Sequence, residues 1–155
     1  MKISSKRLLV LALASHILTS ATLAAEGWLT DFAVAQKQAV EAKKPILIDF
    51  TGSDWCGWCK KINQETLSQA AFKKFAAEKL VLFEADFPHK KPQTPAVKKQ
   101  NETLKNKHKV DGFPTFVLVS PEGKELGRID GYLEGGPKAF MAELNKFTIK
   151  KTAAK

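Results

Sequence analysis

The order of hydrophobic and polar positions along this chain predicts helices that alternate with strands. Residues 30–43 carry apolar residues at helical spacing, with Thr30 or Asp31 as candidate N-caps. Ile46 to Phe50 is a nearly continuous apolar run, which is typical of a strand covered on both faces. The positions that follow helical spacing in the first element are Leu29, Phe32, Ala33, Gln36, Val40 and Lys43.

The middle of the chain repeats this alternation. The pattern predicts a helix from Cys56 to Leu67, and Ser68 is a candidate cap for a further helix over Ala70 to Ala77. Leu80 to Asp86 is a second apolar strand. We expect it to run parallel to the first strand, because a helical connection separates the two.

The pattern in the second half of the chain predicts a loop, a hairpin and a last helix. Residues 87–109 begin with a proline-rich break and continue as a polar surface helix around Ala96 to His108. Two strand-like runs, Thr115 to Ser120 and Glu125 to Asp130, flank a turn signal. A last helix begins at Gly136-Pro137. The whole order predicts an α/β sandwich, in which a mixed sheet lies between helices on both faces. The expected buried stripe of the last helix is Phe140, Met141, Leu144 and Phe147.

The first 25 residues have the composition of a secretory signal peptide. A basic start precedes an apolar stretch, Leu8 to Leu18, and small residues at 22–25 suit a cleavage site. The apolar stretch is shorter than the roughly 18–20 residues that a membrane-spanning helix needs. We therefore expect a cleaved leader over 1–25, export to the periplasm or beyond, and a mature protein that does not span the membrane. An uncleaved anchor is the alternative.

Charge and length narrow the class of protein. The chain has 25 basic and 16 acidic residues, a net charge of +9, and three of the basic residues belong to the leader. The rest is long enough for one domain over 26–148, followed by a basic tail over 149–155. An exported protein meets no nucleic acid. Its positive charge therefore suits anionic envelope surfaces or acidic patches on partners, or is a solvated lysine-rich surface.

The two cysteines of the chain form a Cys-x-x-Cys motif, Cys56 and Cys59, between a predicted strand and a predicted helix. At this spacing two sulfurs can form and break a disulfide. No second pair exists for a zinc site, and Lys60 occupies the position that haem attachment reserves for histidine. A purely structural disulfide would stabilise the fold little, because closing so short a loop removes little conformational entropy from the unfolded chain. We read His89 and His108 as surface residues and expect neither a metal nor a bound cofactor.

Three elements in order resemble the thioredoxin superfamily, in particular its exported bacterial members. They are the strand Pro45 to Phe50, the segment Trp55 to Lys60, and Gly112 to Thr115 about 55 residues beyond the cysteines. The resemblance covers residues 28–148 and implies a thioredoxin-like α/β fold. One departure is Trp58, which stands where typical thioredoxins carry proline.

The resemblance implies a redox dithiol with no other cofactor. Cys56 at the helix start is the expected nucleophile, with its sulfur facing solvent, and Cys59 is the resolving cysteine. Asp49 lies in a strand that should be buried, so its pKa should rise. In thioredoxins an aspartate at this place accepts the proton of the resolving cysteine. The catalytic set is therefore predicted to be Cys56, Cys59 and Asp49.

The resemblance also implies a substrate groove beside the cysteines. Trp55 should shield the dithiol, and Trp58 adds an apolar surface and a backbone N–H whose effects on the disulfide oppose each other. A cis bond before Pro114 would place the backbone of Phe113 beside the sulfurs, where it pairs with an extended substrate. These four residues are the predicted substrate-binding set.

The function predicted from these observations is a periplasmic thiol-disulfide oxidoreductase, a reductase in its expected form. Its partners would be protein thiols and disulfides and a membrane-embedded thiol electron donor. The alternatives are a disulfide oxidase or isomerase, and a binding module that uses the fold without turnover.

Overall fold

The computed structural model describes residues 27–153, so the predicted signal peptide lies outside the described residues. Five strands form one sheet in the order β1-β3-β2-β4-β5. Strands β1, β3 and β2 are parallel to one another, whereas β4 is antiparallel to both β2 and β5. The strands are β1 Trp28–Leu29, β2 Ile46–Thr51, β3 Val81–Asp86, β4 Thr115–Val119 and β5 Glu125–Asp130.

Helices cover both faces of this sheet, so the predicted α/β sandwich is confirmed. One face packs against α2, a π-helical turn, α3 and α5, and the other packs against α1 and α4. The helices are α1 Phe32–Ala42, α2 Gly57–Ile62, the π-helical turn Asn63–Leu67, α3 Ala70–Lys79, α4 Pro95–Lys107 and α5 Gly136–Ala153.

Strand β2 is the centre of the molecule, and every one of its residues is buried. Its side chains alternate between the two faces, as the pleat requires. Ile46, Ile48 and Phe50 enter the core under α1 and α4, while Leu47 enters the opposite core. Asp49 shares the face of Leu47, so the fold buries a carboxylate under α2. The apolar run of the sequence predicted this double burial correctly.

Several local predictions are wrong. The buried stripe of α1 is Ala35 and Ala39, and Val40 is 59% exposed, because small residues let this helix approach the sheet closely. Asp31 caps α1, whereas Ser68 caps nothing: its hydroxyl donates to Asn63 and α3 begins without a side-chain cap.

Both ends of the described chain also differ from what the sequence predicted. Strand β1 was not predicted, since two residues are too short for a periodic signal; they pair with β3 at the sheet edge. Helix α5 continues to Ala153, into the stretch predicted as a tail. Among residues 27–153, no helix is both long and apolar enough to cross a bilayer.

His108 is not a surface residue, which corrects the sequence prediction. It is 4% exposed at the end of α4, and its ring lies 6.2 Å from that of Phe50. Its Nδ1 lies 3.0 Å from Glu125 Oε2, and Arg128 donates to its carbonyl oxygen at 2.5 Å. The sequence around His108 has the polar pattern of a surface helix and does not indicate this burial, because the residues that pair with His108 come from β5.

Candidate active site

The two cysteines lie where β2 passes into α2. Cys56 is the N-cap of α2, and Cys59 follows one turn later. The two are joined by a disulfide with a Cα–Cα distance of 5.3 Å, and the backbone N–H of Cys59 donates to Cys56 Sγ at 3.2 Å. An N–H directed at this sulfur would also stabilise a thiolate there once the disulfide is reduced.

The disulfide is covered more than the sequence suggested. Cys56 is 6% exposed and Cys59 is 4% exposed, so the expectation that Cys56 faces solvent does not hold for the oxidised form. The large apolar side chains exposed next to the cysteines are those of Trp55, at 42%, and of Trp58, at 57%. A partner that reaches the disulfide therefore meets indole rings first.

Trp55 holds one wall of the site together. Its Nε1 donates to the carbonyl of Phe87 at 2.8 Å, and its ring stacks on His89 with centroids 4.6 Å apart. The edge of Phe113 approaches the same ring at 5.9 Å. A Cβ at Gly52 would overlap the indole, so the loop needs glycine there. Trp55 thus connects the segments that follow β2 and β3 to the one that precedes β4.

Asp54 anchors the loop that forms this wall, a role that the sequence did not suggest. Its carboxylate accepts the backbone N–H groups of His89, Lys90 and Lys91 at 3.0, 2.7 and 3.2 Å. The bond from His89, followed by those from Lys90 and Lys91, lowers the pKa of Asp54 despite some desolvation. The partners lie about 35 residues along the chain, so no local sequence signal could have found them.

Trp58 forms the opposite wall. Its ring lies 5.3 Å from the ring of Tyr132, and the Lys61 amine sits over both rings. Tyr132 donates its hydroxyl hydrogen to Glu65, and this hydrogen bond raises the pKa of Tyr132 to about 12. The tryptophan that replaces the expected proline therefore lies against a polar and aromatic surface.

The peptide bond between Phe113 and Pro114 is cis, as the resemblance implied. The Phe113 ring stacks on Phe87 with centroids 5.1 Å apart and meets Trp55 at its edge. Pro114 is buried, and its carbonyl accepts the N–H of Gly131 at 2.8 Å. The structure thus brings Trp55 and Phe113 together, and places Trp58 against Tyr132 on the other side.

Beneath the cysteines lies a cavity of about 80 Å³ that Asp49 lines together with Cys59 and Lys60. Asp49 is 7% exposed, and its Oδ1 has no hydrogen-bond partner among the described residues. Burial first, and then the charges of Glu84 and Asp86, raise its pKa well above the ordinary value. Asp49 is therefore a buried acid that lines the same cavity as Cys59, and its burial and raised pKa agree with its position in the strand.

Glu84 is the group that the sequence analysis missed. It pairs in register with Asp49 on the neighbouring strand β3 and lines the same cavity. Desolvation, and then the charge of Asp86, raise the pKa of Glu84, and Lys91 opposes this shift. The alternation in β3 offered a signal: Leu82, Glu84 and Asp86 share one face of a strand that was read as uniformly apolar.

The π-helical turn Asn63–Leu67 is a second feature without a sequence signal. The N–H of Ser68 reaches the carbonyl of Asn63 at 2.8 Å, and both ends of the turn, Asn63 and Leu67, line the cavity. Such turns are frequent at functional sites. As for metal ions, the described part of the chain holds no group of three or more His, Cys, Asp or Glu side chains arranged to bind one.

Comparisons with known proteins show the family to which the chain belongs. Residues 32–148 match the thioredoxin-like domain family. The chain is 40% identical over 113 residues to the disulfide bond reductase DsbH of Chlamydia pneumoniae, over 73% of this chain and 68% of that protein. It is 30% identical to the thiol:disulfide interchange protein DsbD of Pectobacterium atrosepticum over 70% of this chain, but only 17% of that protein. A solved structure of a DsbH oxidoreductase superposes with a TM-score of 0.73 at 34% identity, covering 93% of this chain and 94% of that one.

Proposed function

This chain belongs to the thioredoxin superfamily of thiol-disulfide oxidoreductases, and we propose that it is an exported reductase of protein disulfides that acts in the periplasm. The observation that carries the proposal is the Cys56–Cys59 disulfide, set at the start of α2 above a cavity that contains a buried acid. The arrangement combines a dithiol, a proton acceptor and an exposed aromatic rim. These are the parts that thiol-disulfide exchange needs.

In the proposed reaction the reduced protein attacks with Cys56. Its thiolate forms a bond to one sulfur of the substrate disulfide, and the other substrate sulfur leaves as a thiolate. Cys59 then loses its proton toward Asp49 and attacks Cys56, which releases the second substrate thiolate. The substrate gains two electrons, and the protein is left with the Cys56–Cys59 disulfide.

The rim residues hold the substrate in this proposal. Trp55 and Trp58 lie beside the disulfide with exposed indoles, and the backbone of Phe113, which precedes the cis bond to Pro114, would pair with an extended substrate segment. Backbone pairing gives affinity without demanding a particular sequence. A protein built this way would accept several disulfide partners.

The reducing direction, the compartment and the electron donor are part of the proposal. A relative at 40% identity is named a disulfide bond reductase, which supports the direction. The leader-like composition of residues 1–25 supports export. The similarity to one part of DsbD, named as a thiol:disulfide interchange protein, supports a thiol-based donor, which we place in the membrane.

A trapping experiment tests whether the protein turns over at all. A Cys59→Ser variant should accumulate mixed disulfides through Cys56 with protein substrates, and a Cys56→Ser variant is the matched control. A binding module that works without exchange would leave both variants free of such adducts.

Equilibration against glutathione buffers tests the direction. A reductase should keep its disulfide in mildly reducing glutathione, and should reduce a disulfide-bonded test protein when a dithiol supplies electrons. A disulfide that glutathione reduces readily, with rapid oxidation of unfolded dithiol proteins, would instead identify an oxidase or isomerase.

A further inference from the structure

Asp49 by itself is a poor base for the resolving step. Burial, and then the charges of Glu84 and Asp86, make this carboxyl hold its proton to a higher pH than an exposed one does, and its Oδ1 has no hydrogen-bond donor among the described residues. Over the pH range in which it is protonated, it cannot take another proton from Cys59. In that pH range the resolving step needs a second group that is ionised and can accept a proton.

Glu84 is placed to be that group. It is the direct register partner of Asp49 on the adjacent parallel strand, so both side chains leave the sheet on the same face. Both line the cavity that Cys59 also lines. Glu84 is only partly buried, whereas Asp49 is 7% exposed, so the pair runs from the inner sulfur toward solvent.

The other charges around the pair come from each neighbouring element. Asp86 follows on β3, Lys60 reaches the cavity from α2, and Lys91 interacts with Glu84 from the loop after β3. The π-helical turn contributes Asn63, and β1 contributes Trp28, neither of which carries a charge. Desolvation and the charge of Asp86 raise the pKa of Glu84, whereas Lys91 favours its ionised form, and none of the described hydrogen bonds or salt bridges engages its carboxylate.

We propose that Glu84 is a second catalytic acid-base residue, which accepts the proton of Asp49 while Asp49 accepts the proton of Cys59. This inference rests on the proposed function, because it concerns the resolving step of the same dithiol.

The step is balanced within the cavity. The Cys59 S–H proton moves to one oxygen of Asp49, the proton already on Asp49 moves to Glu84, and Glu84 becomes neutral. The Cys59 thiolate then forms the bond to Cys56 and expels the substrate thiolate. Glu84 returns its proton to solvent, which its partial exposure allows.

A simpler role for Glu84 makes the opposite prediction. If Glu84 only repelled the charge of Asp49, removing it would lower the pH at which Asp49 ionises, because the Glu84 charge helps to raise the Asp49 pKa. Resolution in a Glu84→Gln variant would then become faster near neutral pH. If Glu84 is the acceptor, the variant must wait until Asp49 itself has ionised, and resolution becomes slower.

The experiment follows a reduced protein that reacts with a chromogenic aromatic disulfide under single-turnover conditions. The first equivalent of coloured thiolate reports the attack by Cys56, and the second reports resolution by Cys59. We expect Glu84→Gln to slow the second phase about tenfold on the acid side of neutrality. Its inflection should move to higher pH, and its rate should rejoin the wild-type rate at alkaline pH. The first phase should keep its wild-type rate, which also shows that the variant is folded.

Two further variants complete the test. Glu84→Asp keeps a carboxylate and should retain the wild-type inflection, and Glu78→Gln, an exposed glutamate on α3, should change neither phase. An inflection that moves to lower pH, or does not move, in Glu84→Gln would overturn the inference while leaving the reductase proposal intact. A wild-type protein without any first phase would overturn both.

Discussion

Two clusters of ionisable side chains, each with one buried member, lie on opposite faces of the sheet, and they are built differently. Under α4, His108 and Arg128 both contact Glu125, and Arg128 Nε lies 2.8 Å from Glu125 Oε1. Under α2, Asp49 lies beside a second acid, and its Oδ1 has no donor. One cluster pairs opposite charges, and the other places like charges together.

The difference separates a structural cluster from a chemical one. The hydrogen bond from Arg128, and then that from His108, lower the pKa of Glu125, so its charged form is favoured in the folded state. Burial and like charges do the reverse to Asp49. An unpaired acid in a core costs stability, and such groups concentrate at active sites. We therefore expect the first cluster to hold the fold and the second to move protons.

The largest expected effect is on catalysis at Asp49. An Asp49→Ala variant should slow the resolving step about 100-fold, because general acid-base catalysis by one positioned group contributes about that much. The first attack by Cys56 should stay near its wild-type rate. Stopped-flow measurement of the two thiolate phases checks this, and a defect confined to the first phase would refute the role of Asp49.

The next effect is on stability at the paired cluster. Glu125→Ala should lower the free energy of unfolding by about 1–2 kcal/mol, because it removes the carboxylate that pairs with both His108 and Arg128 on a partly exposed surface. Denaturant unfolding near neutral pH measures it, and both thiolate phases should keep their wild-type rates.

The control for this stability effect is Glu143→Ala. It breaks an exposed pair with Lys146 on α5 and should cost at most about 0.5 kcal/mol. The pH dependence of the Glu125 effect has a definite sign. Because the folded state lowers the Glu125 pKa, its contribution is present above the unfolded pKa and is lost as pH falls through the folded value. Equal losses of stability in Glu125→Ala and Glu143→Ala would contradict the view that the Glu125 cluster holds the fold.

The smallest effect should have the opposite sign. Asp49→Asn removes the buried charge but leaves a polar group without a partner, so we expect a gain in stability smaller than the loss in Glu125→Ala. The folded state binds the Asp49 proton more tightly than the unfolded state does, so the contribution of Asp49 to stability falls as pH rises above about 4. The gain should therefore grow with pH. Urea unfolding of both proteins at several pH values would reveal a constant difference if this view is wrong.

Much of the fold was readable from the sequence because its signals are local. The apolar run of β2, the turn between β4 and β5 and the spacing of the cysteines each depend on neighbouring residues. The prediction of which face of α1 is buried was wrong for a related reason. The helical spacing included Val40, but contact with the sheet selects the alanines Ala35 and Ala39.

The residues of the candidate site also divide into those that the sequence predicted and those that only the fold brings together. Cys56 and Cys59 were predicted from residue type and spacing, whereas the role of Asp49 and the cis bond before Pro114 were predicted from the resemblance. Glu84 and Asp54 were not predicted as parts of the site, because the residues they pair with are distant in the chain. For Glu84 the pairing with Asp49 depends on the register of two strands, which no local pattern reports.

The sequence by itself determined the α/β sandwich, the dithiol and the family, since a short motif and the periods of helix and strand are written in consecutive residues. Tertiary structure alone decided which charges meet. It buried His108 beside Glu125, covered Cys56, and set Asp49 next to Glu84. The physical reason is that the electrostatic environment of a side chain depends on burial and on neighbours in space. Strand register and helix packing fix both.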